Sequence, residues 1–313
     1  MGREITEYLD LGVCAAMLTP ESFESDGAHL RAIELASTLE QYTALDVFLA
    51  EDAEIAKEEL RILRASGKHI RYNSPVQLQR FGAFDAGSED TQARESALEL
   101  MKKHLDYAVQ LDAKLCVTAS CPDVPERRES VRAYYKEFMH KACAYAKPLG
   151  ITIVVEPIER HRFKKLLLGP TQEVSAFIQE LRKEGTENAG LMIDFGHLPL
   201  MEESLEQALN ASRSAGLSHV HFGDAILRPE HPLYGHMHPA MCGRDGSFSM
   251  QDITQQMLGL FRLGYLDRAG KRAAAATLEV RPYDGVSAKT SAKVHFERMQ
   301  SALDAALELL DAQ

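Results

Sequence analysis

The chain has 313 residues, 45% of them hydrophobic, and a formal net charge of −11. That length fits one large α/β barrel or two ordinary domains, and no apolar run approaches the roughly 20 residues of a membrane helix. The acidic balance argues against broad binding to a phosphate backbone, and the opening residues lack the apolar stretch of a signal peptide, so the expectation is a cytoplasmic protein with no nucleic-acid or membrane partner.

Short apolar runs alternate with helical periodicity along the whole chain, which is the βα pattern of a parallel sheet. The first four predicted strands centre on 13–15, Leu45–Leu49, His69–Tyr72 and Lys114–Val117. The fifth, 151–156, is apolar and closes on Glu156. After it Gly169-Pro170-Thr171 supplies a turn and a candidate N-cap, and Val174, Phe177, Ile178 and Leu181 follow at helical spacing, with Gly185 in the usual capping place. The sixth strand, Leu191–Ile193, closes on Asp194, with His197 three residues on. The seventh centres on His219-Val220 and carries His221. Beyond it, 228–247 is rich in His, Pro and Gly and predicts an extended loop at the barrel mouth. The eighth, Ala276–Leu278, closes on Glu279, and a last helix from about Ala288 to Leu310 aligns Met299, Leu303, Ala306 and Leu310 on one face. Eight strands in one uninterrupted alternation predict a single (β/α)8 TIM barrel over 1–313. The rival, an open doubly wound sheet, would call for a G-x-G-x-x-G or P-loop after the first strand, and neither is there.

Parallel barrel strands converge at their C-terminal ends, so Glu156, Asp194, His221 and Glu279 are expected at one mouth. Singly, each has a bland reading: strand-end carboxylates are often just solvated, and strand histidines are often satisfied core residues. Four at four successive strand ends point instead to an O/N-rich site for a hard or borderline divalent cation, and so to a metal-dependent enzyme. Histidine is also concentrated here, with six of the twelve (His197, His219, His221, His231, His236 and His238) between 197 and 238. The five cysteines contain no C-x-x-C pair and read as small buried residues of a reducing compartment.

Through Val154–Arg160, Met192–His197, His219–Asp224 and Leu278–Val280, the chain resembles the xylose isomerase-like TIM-barrel superfamily. The likeness is to its sugar isomerase/epimerase members in particular, those related to D-tagatose and D-psicose 3-epimerases. It covers about half the chain, from residue 151 onward, and the first half matches in strand count only. The resemblance implies one divalent ion on Glu156, Asp194, His221 and Glu279, with Mn foremost and Mg, Co or Zn as alternatives. It also implies that His197 and an arginine after the seventh strand, Arg228, hold substrate oxygens, while His219 is either another pocket residue or an inward-facing barrel side chain. The implied reaction on a sugar or polyol is proton abstraction beside a metal-bound carbonyl through an enediolate, with Glu156 and Glu279 as the acid–base pair. A homo-oligomer or a small partner subunit is compatible with it.

Several departures leave other reactions open. Glu159 stands where the epimerases usually show Asn, Arg228 lies one residue late, and the His221-to-Glu279 gap is 58 positions (279 minus 221). One alternative is a lyase, such as the large subunit of a C-glycoside deglycosidase acting on a sugar or cyclitol. A less favoured one is an apurinic endonuclease-like nuclease. His236-Met237-His238 hints at it, but the fourth strand end, 117–123, supplies no histidine ligand.

Overall fold

The computed structural model describes residues 3–74, 84–270 and 274–312. Eight parallel strands form one closed barrel in chain order: β1 (Leu9–Cys14), β2 (Ala44–Val47), β3 (His69–Asn73), β4 (Leu115–Ala119), β5 (Thr152–Glu156), β6 (Ala189–Asp194), β7 (Leu217–Phe222) and β8 (Ala274–Leu278), with β8 pairing back to β1. The helices are α1 (Ile5–Tyr8), α2 (Ala15–Leu18), α3 (Asp26–Ser37), α4 (Ala53–Ser66), α5 (Thr91–Gln110), α6 (Arg128–Ala146), α7 (Thr171–Lys183), α8 (Leu205–Ala215), α9 (Met250–Leu263) and α10 (Ala288–Asp311). No helix among the described residues is long and apolar enough to cross a membrane.

Local chemistry sets the boundaries. Asp52 caps α4 by accepting from the backbone of Glu54 and Ile55, and Gly67 ends that helix in the left-handed region. Ser204 and Ser249 open α8 and α9 with capping boxes, devices that contribute about 1 kcal/mol each. Three elements differ from expectation. β1 begins earlier, at Leu9, because Leu9, Leu11 and Val13 alternate into the helix layer, whereas Ala15 already opens α2. Thr171 is the first residue of α7 rather than its cap, and its hydroxyl donates to Glu203 at 2.8 Å. β7 extends through His221 to Phe222, so His221 belongs to the sheet.

The main apolar core lies between strands and helices, where the predicted stripes of α7 and α10 are buried. Inside the barrel the filling is divided. Val117, Val154 and Met192 pack together on one side, while Asp46, Arg71, His219 and Thr277 form a polar network on the other. A register shift between Leu191 and Met192 sets His221 opposite Asp194.

Candidate metal centre

Strand alternation turns Glu156, Asp194, His221 and Glu279 inward at the C-terminal mouth, and one ligand atom from each lies within 4.8 Å of the others. The first three are at most 4% exposed, and Glu279, just past β8, is partly buried. His221 Nδ1 is 2.5 Å from Glu279 Oε2 and 3.9 Å from Asp194 Oδ2. Among the described residues, Glu156 Oε1 and Asp194 Oδ2 are buried with no hydrogen-bond partner, although a buried carboxylate oxygen is costly unless paired.

The electrostatics describe the same deficit of positive charge. Burial and the Glu279 charge push Glu156 up to about 8. Burial and Glu279 also raise Asp194 well above the carboxylate range. For His221 burial acts downward, but Glu279 and Asp46 outweigh it and hold the ring in its charged form. Three crowded carboxylates and one imidazole nitrogen form an O3N donor set, which suits a divalent cation. The residues fit the ion that the sequence implies.

His197 sits beside this group, its Nδ1 3.4 Å from Glu156 Oε1 and 3.3 Å from the Pro157 carbonyl. The other two residues with expected substrate roles are placed elsewhere. Arg228 is half-exposed, and its guanidinium pairs with Asp245 at 3.0 Å within its own loop. His219 is fully buried two residues below His221, facing Asp46, so of its two expected roles the structure places it in the barrel interior.

Three residues join the site that the ligand assignment left out. Asp46, from β2, accepts from Nε2 of His221 at 3.0 Å. Its signal was a lone carboxylate within an apolar run. His236 and His238, from the loop after β7, come together with His197 as a second group able to hold a metal ion. His238 Nε2 is 3.4 Å from His197 Nε2, and His236 Nδ1 is 3.3 Å from Glu159. Burial depresses all three imidazoles, which favours neutral rings, each with one nitrogen free to ligate. The H-x-H spacing was legible, but not its approach to His197.

The loop after β7, 223–249, is anchored by Asp224, whose buried carboxylate accepts from the backbone of Ala225, Cys242 and Ser247. Its tip meets the loop after β5 through Tyr234, which packs edge-on against Phe163 with ring centroids 4.8 Å apart. All five cysteines are free; four are buried and Cys242 is partly so.

A closed parallel barrel gathering carboxylates and imidazoles at its C-terminal mouth defines a (β/α)8 protein with its candidate site in the usual place for that fold. The chain belongs to the xylose isomerase-like TIM barrel family, whose model matches residues 30–259. Among solved structures it is similar to D-psicose 3-epimerase with D-tagatose from Clostridium cellulolyticum H10, at 19% identity and a TM-score of 0.62 over 96% of this chain and 97% of that one. It is also similar to an AP endonuclease, family 2, from Brucella melitensis (16%, TM-score 0.63, 90% and 95%). A third is the IOLI protein with a binding zinc atom (14%, TM-score 0.64, 95% and 98%). At these identities the likeness establishes a shared fold. No curated protein matches the chain in sequence.

Proposed function

We propose that the protein is a divalent-metal-dependent isomerase or epimerase of a sugar or sugar-derived polyol. The observation that carries this reading is the Glu156–Asp194–His221–Glu279 group, with two buried carboxylate oxygens that have no hydrogen-bond partner among the described residues. These four residues would hold the ion. When bound, it supplies positive charge beside a substrate carbonyl and so acidifies the adjoining C–H.

The chain's own residues supply the proton handling. Glu156 and Glu279 come from strands 5 and 8 and form the acid–base pair, one removing the proton and the other returning it. Without an ion, burial and the Glu279 charge lift Glu156 to about 8; a bound ion would lower it, and the dry surroundings keep the carboxylate more basic than an exposed one. His197, beside Glu156, binds a substrate oxygen. The near-complete burial of the group excludes bulk water from the exchanging proton.

The His197–His236–His238 group favours a second reading, a nuclease with more than one ion. The net charge of −11 and the absence of histidine from 117–123 weigh against it.

The test is proton exchange in deuterated water, followed by NMR on protein reloaded with Mn or Mg, over a panel of ketoses and keto-polyols. Exchange at a carbon beside a carbonyl supports the proposal. Absence of exchange together with nicking of abasic DNA would replace it with the nuclease.

A further inference from the structure

We propose that Asp46 is a positioning residue of the metal centre: its carboxylate accepts the Nε2 proton of His221 and so fixes which ring nitrogen faces the Glu156, Asp194 and Glu279 carboxylates. The inference rests on the metal-dependent reading above and concerns what makes His221 a competent ligand.

A charged ring must release one of its two protons to ligate, and the partner of one nitrogen decides which proton stays and which nitrogen is freed. His221 Nε2 lies 3.0 Å from Asp46 Oδ2, while Nδ1 points to the mouth, 2.5 Å from Glu279. A carboxylate behind a ligating histidine also fixes the plane of the ring and raises its basicity.

Asp46 is itself held from several sides. It is fully buried, its Oδ2 also accepts from His219 Nε2 at 3.1 Å, and its Oδ1 accepts from the Thr277 hydroxyl. Arg71 Nη1 stands 3.7 Å from Oδ1 and donates to the Thr277 oxygen at 3.2 Å. The other end of the guanidinium is anchored on Asp10 at 2.6 Å. Gly12 makes room for this, because a Cβ there would come within 2.8 Å of Arg71 Nη1 and 2.9 Å of Thr277 Oγ1.

Asp46, His219 and His221 also lie close enough together to hold an ion themselves. Two facts favour support over ligation. Both Asp46 oxygens are already engaged, and the Arg71 guanidinium brings a fixed positive charge within 3.7 Å of the same carboxylate. The network thus links the N-terminal end of β1 to the metal-facing histidine through residues of β2, β3, β7 and β8.

The experiment compares Mn²⁺ affinity by calorimetry for the full chain and for Asp46→Asn. It also follows the His221 side-chain resonances by ¹⁵N NMR of zinc-loaded protein. The expected result is a loss of affinity on the order of 10- to 100-fold, with the His221 Nε2 proton signal lost or exchange-broadened. Unchanged affinity, or weaker binding with that signal intact, overturns the positioning role. If Asp46→Asn fails to fold, Thr277→Val decides. It keeps the carboxylate but removes one of its partners, so the His221 signal should shift and affinity fall by a few-fold; no change in either overturns the proposal. Failure of the unaltered chain to bind Mn²⁺ or Zn²⁺ would overturn the metal-dependent reading as a whole, an outcome distinct from unchanged binding in the variants.

Discussion

Nδ1 of His221 lies 2.5 Å from Oε2 of Glu279, so the seventh and eighth strands meet through a hydrogen bond at the barrel mouth. A proton held there occupies the position a divalent ion would take. Metal binding must therefore release protons. With Glu156 pushed up to about 8 and Asp194 also raised, ion loading should fall as pH falls below 8. Elemental analysis after dialysis at several pH values checks this, and His221→Ala should lose the ion at all of them.

Ion removal should also destabilise the fold, because a ligand bound only by the native state stabilises it. At an ion concentration about 100 times Kd the effect is about 2.7 kcal/mol. A thermal scan with and without chelator measures it, and His221→Ala should show no chelator effect.

Glu156→Gln and Glu279→Gln should each lower turnover on the order of 10²- to 10⁴-fold while the barrel stays folded by circular dichroism. Metal content must be measured alongside, since both residues are also proposed ligands. Near-normal turnover in either variant would remove that glutamate from the acid–base pair.

His197→Ala should raise KM roughly tenfold, the effect of losing one hydrogen bond of about 1.4 kcal/mol, with a smaller change in kcat. An unchanged KM would take His197 out of the substrate contacts.

His104 and His295 lie outside the metal group, and burial lowers both to about 4. A depressed histidine pKa means that the unfolded chain binds more protons between about 6.5 and 4. Their contribution is complete above pH 6.5 and is lost as pH falls toward 4, at most about 3 kcal/mol per ring. Urea unfolding across that range should show the loss, and His104→Gln should flatten its slope.

Gly235 has φ +86°, and a Cβ there would lie 2.1 Å from the Phe163 ring. Gly235→Ala should therefore separate the loops after β5 and β7 and speed limited proteolysis within 223–249, with little change in the melting temperature. Unaltered cleavage would show that the two loops do not depend on this contact.

What the sequence determined by itself was the strand count, the closed barrel and the four residues at the ends of β5 to β8. The reason is geometric: in a parallel barrel an inward residue at a strand's C-terminal end has one place to go, so Glu156, Asp194, His221 and Glu279 had to converge. Tertiary structure alone decided what depends on register or loop path. Two-residue periodicity turned His219 inward, but only barrel closure set it and His221 against Asp46, 173 and 175 positions away. The chain between Arg228 and His238 follows no repeat, so its course was open. It turns Arg228 toward Asp245 and carries His236 and His238 to His197. Side-chain alternation is written in local spacing, whereas the pairing of distant side chains is settled by how the whole barrel packs.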